Sequence, residues 1–246
     1  MILKYKDIKV FYKIKGKGQD DCPLLFLHGW EGSSLSFKYF YDILSSKRRC
    51  IILDFPPFGK SEEPKEPFNL SDYSQIVIKI LKKLQVNKVD IVAHSFGGRI
   101  AILLASQTKY INKMLLTGCA GIKRKSFKTF LKVKKYKCLK FLSNLNLYSK
   151  EKLKQLGSSD YKKLSSVMKK TFNNVINYDL TNQLSKIKVS TLLVWGTLDK
   201  ETPFYFTKIF KKHIKDCEVI KFKNCSHFAY IERPNLFLKI LLSYFC

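Results

Sequence analysis

The chain has 246 residues with 46% hydrophobic and 14% aromatic content, which is enough for a large buried core and excludes a mainly disordered protein. Its formal net charge is +27, from 46 Lys and Arg residues against 19 Asp and Glu. Only five of these cations are arginine, the residue whose planar guanidinium binds a phosphate group with two parallel hydrogen bonds. We therefore interpret the charge as lysine-rich solvated surface and expect nucleic acid to bind only through nonspecific electrostatics.

The cysteines and the apolar runs bear on where the protein works. Its seven cysteines are scattered without a Cys-x-x-Cys pair, so neither a disulfide framework nor a zinc site is indicated. No run of about 18 apolar residues lacks charged residues, and residues 1–18 alternate lysine with apolar side chains. We expect a cytoplasmic protein with no transmembrane segment and no metal.

Short β-branched runs alternate with longer amphipathic segments, the pattern of strands joined by crossover helices in a mostly parallel sheet. The first two runs instead alternate with period two, which predicts an antiparallel pair. Several later runs are apolar at every position, so we expect helices on both faces of the sheet. The predicted strands are residues 2–6, 8–14, 23–27, 50–55, 89–93, 114–117, 191–195 and 217–222.

Helix candidates lie between these strands, and their first residues fit helix starts. Ser71 is a suitable N-cap, and Pro203 and Pro234 suit first-turn positions. The apolar positions after Ser71 share one helical face. The predicted helices are residues 36–44, 71–84, 96–106, 203–212 and 234–244.

Residues 121–184 interrupt the alternation, because they hold helical stretches rich in Lys, Phe, Leu and Tyr but no convincing strand. We predict that they form a helical cap inserted into a core of residues 1–120 and 185–246. The cap contains the densest basic cluster of the chain, from Lys123 to Lys137. We interpret this cluster as a solvated outer face over an apolar inner one. The functional alternative is an inner side that shapes an acyl pocket, with outer charge that attracts an anionic substrate or surface.

A serine stands at a sharp turn between a strand and a helix. The strand of residues 89–93 runs into Ala-His-Ser-Phe-Gly-Gly at positions 93–98, and a helical run follows at once. Such an elbow exposes a serine hydroxyl and needs small neighbours around it. Two glycines follow the serine, and Ala93 takes the usual glycine position before it, which adds one methyl group. Ser95 is therefore the candidate nucleophile.

A serine hydroxyl needs a base to remove its proton, and the chain has four histidines. His94 adjoins Ser95, and we expect its side chain to point away from the serine. His28 lies in a loop where a structural role is favoured, and His213 ends a lysine-rich helix at the surface. His227 follows the last strand, where a late loop delivers its side chain to the carboxyl edge of the sheet. We expect His227 to be the base.

The acid that orients this base has two candidates in the loop after residues 191–195. Asp199 lies just before a proline-started helix, and helix capping is the structural alternative for its side chain. Glu201 is closer to the helix start, where it interacts with the helix dipole. We therefore predict Asp199 as the third member of a Ser-His-Asp triad.

Together these motifs resemble the α/β-hydrolase superfamily, and the resemblance spans nearly the whole chain outside the cap. It implies an eight-stranded sheet with the cap inserted after the sixth strand. The resemblance rests on the order Ser95, Asp199, His227, on His28-Gly29-Trp30, on Asp-Phe-Pro-Pro-Phe-Gly-Lys-Ser at positions 54–61 and on Trp195-Gly196.

The resemblance also implies an oxyanion hole made by the backbone N–H groups of Trp30 and Phe96, and a two-step reaction without metal or organic cofactor. Serine at position 95 argues against dehalogenase and epoxide hydrolase chemistry, which uses aspartate at this elbow. Hydrolysis of a small carboxylic ester or related small-molecule acyl substrate is our leading hypothesis. The alternatives are a carbon–carbon bond hydrolase, lyase or perhydrolase of the same fold, or a non-catalytic ligand-binding or receptor protein.

Overall fold

The computed structural model describes residues 1–16, 22–123 and 159–246, together with Leu139, Ser143 and Ser149. Strands alternate with helices along most of this length. In chain order the described elements are β1 (Ile2–Tyr5), β2 (Ile8–Lys15), β3 (Leu24–Leu27), a 3-10 helix (Ser34–Phe37), α1 (Lys38–Leu44), β4 (Cys50–Leu53), α2 (Leu70–Lys83), β5 (Val89–His94), α3 (Phe96–Gln107), β6 (Ile111–Thr117), α4 (Ser159–Lys163), α5 (Ser166–Ile176), α6 (Thr181–Leu184), β7 (Ser190–Gly196), α7 (Phe206–His213), β8 (Cys217–Phe222), α8 (Ala229–Glu232) and α9 (Pro234–Phe245).

The eight strands form one sheet in the spatial order β1-β2-β4-β3-β5-β6-β7-β8. Strand β2 pairs antiparallel with β1 and β4, and all the other neighbours are parallel. The predicted antiparallel start and the mostly parallel eight-stranded sheet are confirmed. Since the parallel strands point the same way, the loops that follow them meet at one edge of the sheet.

The core lies on both faces of the sheet, as the fully apolar strands predict. All four side chains of β3 are buried. Successive strand side chains point to opposite faces, so Leu25 and Leu27 join a cluster with residues of α2, α3 and α7. Leu24 and Phe26 join a second cluster with residues of α1, α8 and α9.

One strand begins earlier than its sequence pattern indicates. Strand β6 starts at Ile111, three residues before its predicted start at 114. Ile111 is buried, but the exposed Asn112 and half-buried Lys113 follow it, and these polar residues hide the strand in the sequence. The buried part of the run alone carries the apolar signal.

Two predicted helix starts are wrong, and the third is right. Helix α2 is capped by Asn69 rather than Ser71, because the Asn69 side chain accepts the N–H groups of Ser71 and Asp72. Helix α7 begins at Phe206 rather than Pro203, whose carbonyl accepts the Phe206 N–H in a preceding turn. Pro234 does stand in the first turn of α9. Among the described helices, none is long and apolar enough to cross a membrane.

Part of the predicted cap lies within the described residues. Residues 159–184 contain α4, α5 and α6 and no strand. Helix α5 buries Met168, Thr171 and Val175, and the Thr171 hydroxyl accepts the N–H of Phe68 at 2.9 Å. The basic cluster lies outside the described residues from Arg124 onward, and the cap boundaries stay a prediction.

Candidate active site

Ser95 occupies the turn between β5 and α3. Its φ of 47° and ψ of −108° lie in a region that non-glycine residues rarely adopt. Two backbone hydrogen bonds of 3.1 Å fix this turn against the end of β6: the Ser95 N–H donates to Thr117 O, and the Ala120 N–H donates to Ser95 O. The neighbouring strand therefore maintains the strained conformation of the elbow.

The two glycines after Ser95 allow α3 to pack closely against the sheet. A Cβ atom at Gly97 would lie 2.2 Å from the carbonyl oxygen of Leu27 in β3. A Cβ atom at Gly98 would lie 2.3 Å from the Sγ atom of Cys119. Both distances are far below van der Waals contact, so any larger residue would displace the helix that begins at the elbow.

His227 and Asp199 meet in the loops that follow β8 and β7. The Nδ1 atom of His227 lies 2.9 Å from Oδ2 of Asp199. These strands are parallel neighbours, with Gly196 opposite Phe222 at their carboxyl ends, so the loops leave the sheet side by side. The predicted acid and the predicted base are thus hydrogen-bonded, although 28 residues separate them in the sequence.

The Asp199 carboxylate is fully occupied by donors. Its Oδ1 accepts the N–H groups of Glu201 at 2.9 Å and Thr202 at 2.8 Å, and its Oδ2 accepts the Thr202 hydroxyl at 2.8 Å as well as His227. Burial alone would raise the pKa of Asp199, but the hydrogen bonds from His227 and Thr202 and the charge of His227 lower it below its ordinary value. The carboxylate therefore stays ionised beside the imidazole.

Ser95 and His227 line the same cavity, which has a volume of about 690 Å³. Glu201, the rival acid, also lines this cavity, but its side chain is exposed. Asp199 lies behind His227 and is 5% exposed. The structure therefore brings the predicted nucleophile and base to one cavity, with the predicted acid supporting the base.

Trp30 and Phe96, the residues expected to supply the oxyanion hole, lie on one wall of this cavity. Their rings are 5.3 Å apart and perpendicular, and the ring of Phe172 from α5 is 5.2 Å from that of Trp30. The Phe96 N–H belongs to the first residue of α3, where backbone donors have no intrahelical partner. The oxyanion role of the two N–H groups stays a prediction.

Comparison with known proteins agrees with this geometry. A family model described as the alpha/beta hydrolase fold matches residues 23–122. The AB hydrolase superfamily protein YisY of Bacillus subtilis is 26% identical over 256 residues, covering 92% of this chain and 91% of YisY. The chain therefore has the α/β-hydrolase fold.

Other relatives are similar to this chain over nearly its full length. The pimeloyl-[acyl-carrier protein] methyl ester esterase of Wigglesworthia glossinidia brevipalpis is 28% identical, covering 94% of this chain and 95% of that protein. The crystal structure of MGS-M2, an α/β hydrolase from a deep-sea metagenome library, superposes with a TM-score of 0.80 at 19% identity, covering 100% and 97% of the two chains. Further matches bear the names proline iminopeptidase, esterase and meta-cleavage product hydrolase. Each of these names denotes a hydrolytic enzyme.

His94 belongs to the site more closely than its sequence position suggests. It was expected to point away from Ser95, yet it lines the same cavity. Its Nε2 donates to the backbone carbonyl of His227 at 3.1 Å, and the two imidazole rings are 4.7 Å apart. Burial, together with repulsion from His227, lowers the pKa of His94 to about 3, so this ring is neutral at working pH.

His28 and His213 take the non-catalytic positions expected of them. The Nε2 of His28 accepts the N–H of Phe55 at 2.8 Å, so its protonated Nδ1 donates to the carbonyl of Gly29 at 2.7 Å. Burial lowers the pKa of His28 to about 4. His213 is exposed in the last turn of α7. Among the described residues, no group of three His, Cys, Asp or Glu side chains is placed to hold a metal ion.

Thr202 is a residue of the site that sequence reasoning missed. Its hydroxyl donates to Asp199 and lies 3.3 Å from Nδ1 of His227. The available signal was the spacing of Asp199 and Thr202, because an aspartate that precedes a turn accepts backbone N–H groups two and three residues later. That spacing indicates a turn, whereas the contact with His227 depends on a loop from another strand.

Proposed function

We propose that the protein is a serine hydrolase that cleaves a small carboxylic ester or a related acyl substrate through an acyl-enzyme. The observation that carries the proposal is the 2.9 Å contact between His227 Nδ1 and Asp199 Oδ2, with His227 lining the cavity of the Ser95 elbow. A base needs both a nucleophile within reach and an acid that orients it. We place this reaction in the cytoplasm on the strength of the cysteine pattern.

The chemistry follows from the donors and acceptors at each atom. Because Nδ1 of His227 donates its proton to Asp199, Nε2 carries the free electron pair and takes the Ser95 hydroxyl proton. The Ser95 oxygen then bonds to the substrate carbonyl carbon, and the backbone N–H groups of Trp30 and Phe96 stabilise the oxyanion. When the carbon–oxygen bond to the leaving group breaks, the His227 proton passes to that group.

The second step reverses the roles of the same atoms. Water enters, His227 removes one of its protons, and the hydroxide oxygen attacks the acyl carbon bound to Ser95. Collapse of this intermediate returns the proton to Ser95 and releases the carboxylic acid. Asp199 stays ionised throughout, and its charge stabilises the imidazolium in both steps.

The shape of the cavity supports a small acyl substrate. Its volume of about 690 Å³ lies within the range of small-molecule sites. Phe172, Val175 and Ile176 of α5 form part of its wall, and Phe228 and Ile231 form another part. An apolar acyl or alcohol group gains free energy by leaving water for such a wall.

Hydrolysis of p-nitrophenyl butyrate tests the assigned roles. We expect His227→Ala to abolish turnover, and Asp199→Asn to lower kcat by about 10³- to 10⁴-fold because the imidazole loses its orientation and its counter-charge. Glu201→Gln, the matched acid control, should stay within a few-fold of the wild type.

Full activity in His227→Ala would remove this residue as the base. A larger loss in Glu201→Gln than in Asp199→Asn would reassign the acid. A wild type that binds acyl ligands without turnover would instead favour the non-catalytic alternative.

A further inference from the structure

Arg99 brings a positive charge to the wall of the cavity that Ser95 lines. It lies on α3 four residues after Ser95, and side chains with this spacing lie on the same face of a helix. The apolar side chains of Ala120, Phe172 and Val175 line the same cavity. A cation in such a wall needs a polar partner.

One of the two terminal nitrogens of the Arg99 guanidinium, Nη1, already makes hydrogen bonds within the protein. Its Nη1 donates to the carbonyl oxygen of Val175 at 3.0 Å, in the last turn of α5, and to that of Tyr178 at 2.9 Å, just after this helix. These bonds orient the guanidinium plane. Within the described part of the chain, the edge formed by Nε and Nη2 makes no hydrogen bond, and this edge is one that a carboxylate meets with two parallel bonds.

The charge of Arg99 is not neutralised by an ion pair with any described residue. Asp179 attracts the guanidinium from a distance, but its Oδ1 accepts the N–H and the hydroxyl of Thr181. The two carboxylates of the cavity, Glu31 and Glu201, are exposed and lie in the loops after β3 and β7. Burial lowers the pKa of Arg99, as expected for a cation without a close counter-charge.

We propose that the Nε and Nη2 edge of Arg99 binds a carboxylate of the substrate, so that the acyl compound attacked by Ser95 carries an anionic group beneath α5. This inference rests on the proposed function and narrows its substrate class. Because Arg99 is one helical turn from Ser95, a short chain separates the carboxylate from the scissile carbonyl. A monoester of a dicarboxylic acid has this arrangement.

Kinetics on matched esters test whether the protein prefers substrates that carry a free carboxylate. We expect the wild type to hydrolyse mono-p-nitrophenyl esters of dicarboxylic acids with about four to eight carbons faster than p-nitrophenyl esters of unbranched monocarboxylic acids of equal length. For at least one length, kcat/KM should be about tenfold higher or more, the value of a charge-assisted hydrogen bond. Arg99→Gln should abolish this ratio mainly through KM, and Arg99→Lys should retain part of it.

The ratio of the kcat/KM values for the two kinds of ester distinguishes substrate binding by Arg99 from a purely structural role. If Arg99 only attached α5 to α3, its replacement would slow both esters by the same factor and leave the ratio unchanged. Lys170→Gln removes one exposed cation from α5 without altering the cavity wall, so its ratio should equal that of the wild type.

Calorimetric titration of Ser95→Ala tests the anion site without catalysis. The monomethyl esters of the same diacids should bind about tenfold more tightly than the dimethyl esters at the best length, and Ser95→Ala/Arg99→Gln should lose this difference. Preferential binding of the monoester without any ester turnover by the wild type would reject ester hydrolysis but keep the anion site. Equal affinities for the two esters at every length, or a preference that survives in the double variant, would overturn the role of Arg99.

Discussion

Asp199 has the most completely defined surroundings of the three residues of the proposed triad. Two backbone N–H groups hold Oδ1, which leaves Oδ2 for His227 and for the hydroxyl of Thr202. Rotation of the carboxylate would break these charge-assisted hydrogen bonds, so the carboxylate and the imidazole keep a fixed mutual orientation. We therefore propose that Thr202 acts through Asp199 as a positioning residue.

Thr202→Val tests this positioning role with little change in side-chain shape. The variant removes the hydroxyl donor from Oδ2 of Asp199 and keeps the backbone N–H on Oδ1. We expect kcat for p-nitrophenyl butyrate to fall by about tenfold, the value of one hydrogen bond to a charged group, with KM nearly unchanged.

Thr207→Val is the matched control for this experiment. Thr207 is about as buried as Thr202, but its hydroxyl donates to the carbonyl of Phe204, in the turn before α7, rather than to the site. Its kcat should equal that of the wild type. An equal loss of kcat in both variants would indicate a general effect on folding and would contradict the role of Thr202.

The sequence predicts some site residues and not others, for a physical reason. Ser95, Asp199 and His227 each follow a predicted strand, and the carboxyl ends of parallel strands share one edge, so their convergence follows from the chain order. His94 and Thr202 enter the site through contacts between loops of different strands. Such contacts depend on loop paths that local residue patterns do not determine.

At the scale of single elements, the start of helix α2 depends on which of two nearby polar residues, Asn69 or Ser71, caps the helix. The Asn69 side chain accepts the N–H groups of Ser71 and Asp72, while the Asp72 carboxylate accepts the Asn69 N–H at 2.8 Å. The same Asp72 also accepts hydrogen bonds from Tyr5 and Lys6 of the first hairpin. This reciprocal arrangement satisfies backbone donors that the helix leaves unpaired.

Urea unfolding of two alanine variants distinguishes the cap found in the structure from the one that the sequence indicated. Asn69→Ala should lower the free energy of unfolding by about 1 kcal/mol, the usual value of an N-cap. Ser71→Ala should change it by less than about 0.5 kcal/mol, because Ser71 is exposed within the first turn. The cap assignment would be wrong if Ser71→Ala were the more destabilising of the two.

The start of α7 was mispredicted for a reason that concerns the site. Pro203 has the fixed φ of a helix start, which favours a helix from that point. In the structure, the N–H groups of Glu201 and Thr202 are bound by the Asp199 carboxylate, and a turn carries the chain on to Phe206. The segment before α7 thus holds the carboxylate of Asp199, the proposed acid.

At the scale of the whole molecule, the sheet order explains why distant segments form one site. Strands β5, β7 and β8 run parallel, and the loops after them supply the proposed nucleophile, acid and base. The alternation of apolar runs with amphipathic segments was enough to predict this sheet. It could not predict the cavity, because its walls come from the packing of α5 over the sheet edge.

Mass spectrometry after treatment with a fluorophosphonate tests the central claim most directly, because the reagent bonds to an activated serine. We expect one adduct, on the peptide that contains Ser95. The adduct should be absent in Ser95→Ala and should form far more slowly in His227→Ala. Modification of a different residue with Ser95 left intact, or an unreacted wild type that still hydrolyses esters, would contradict it.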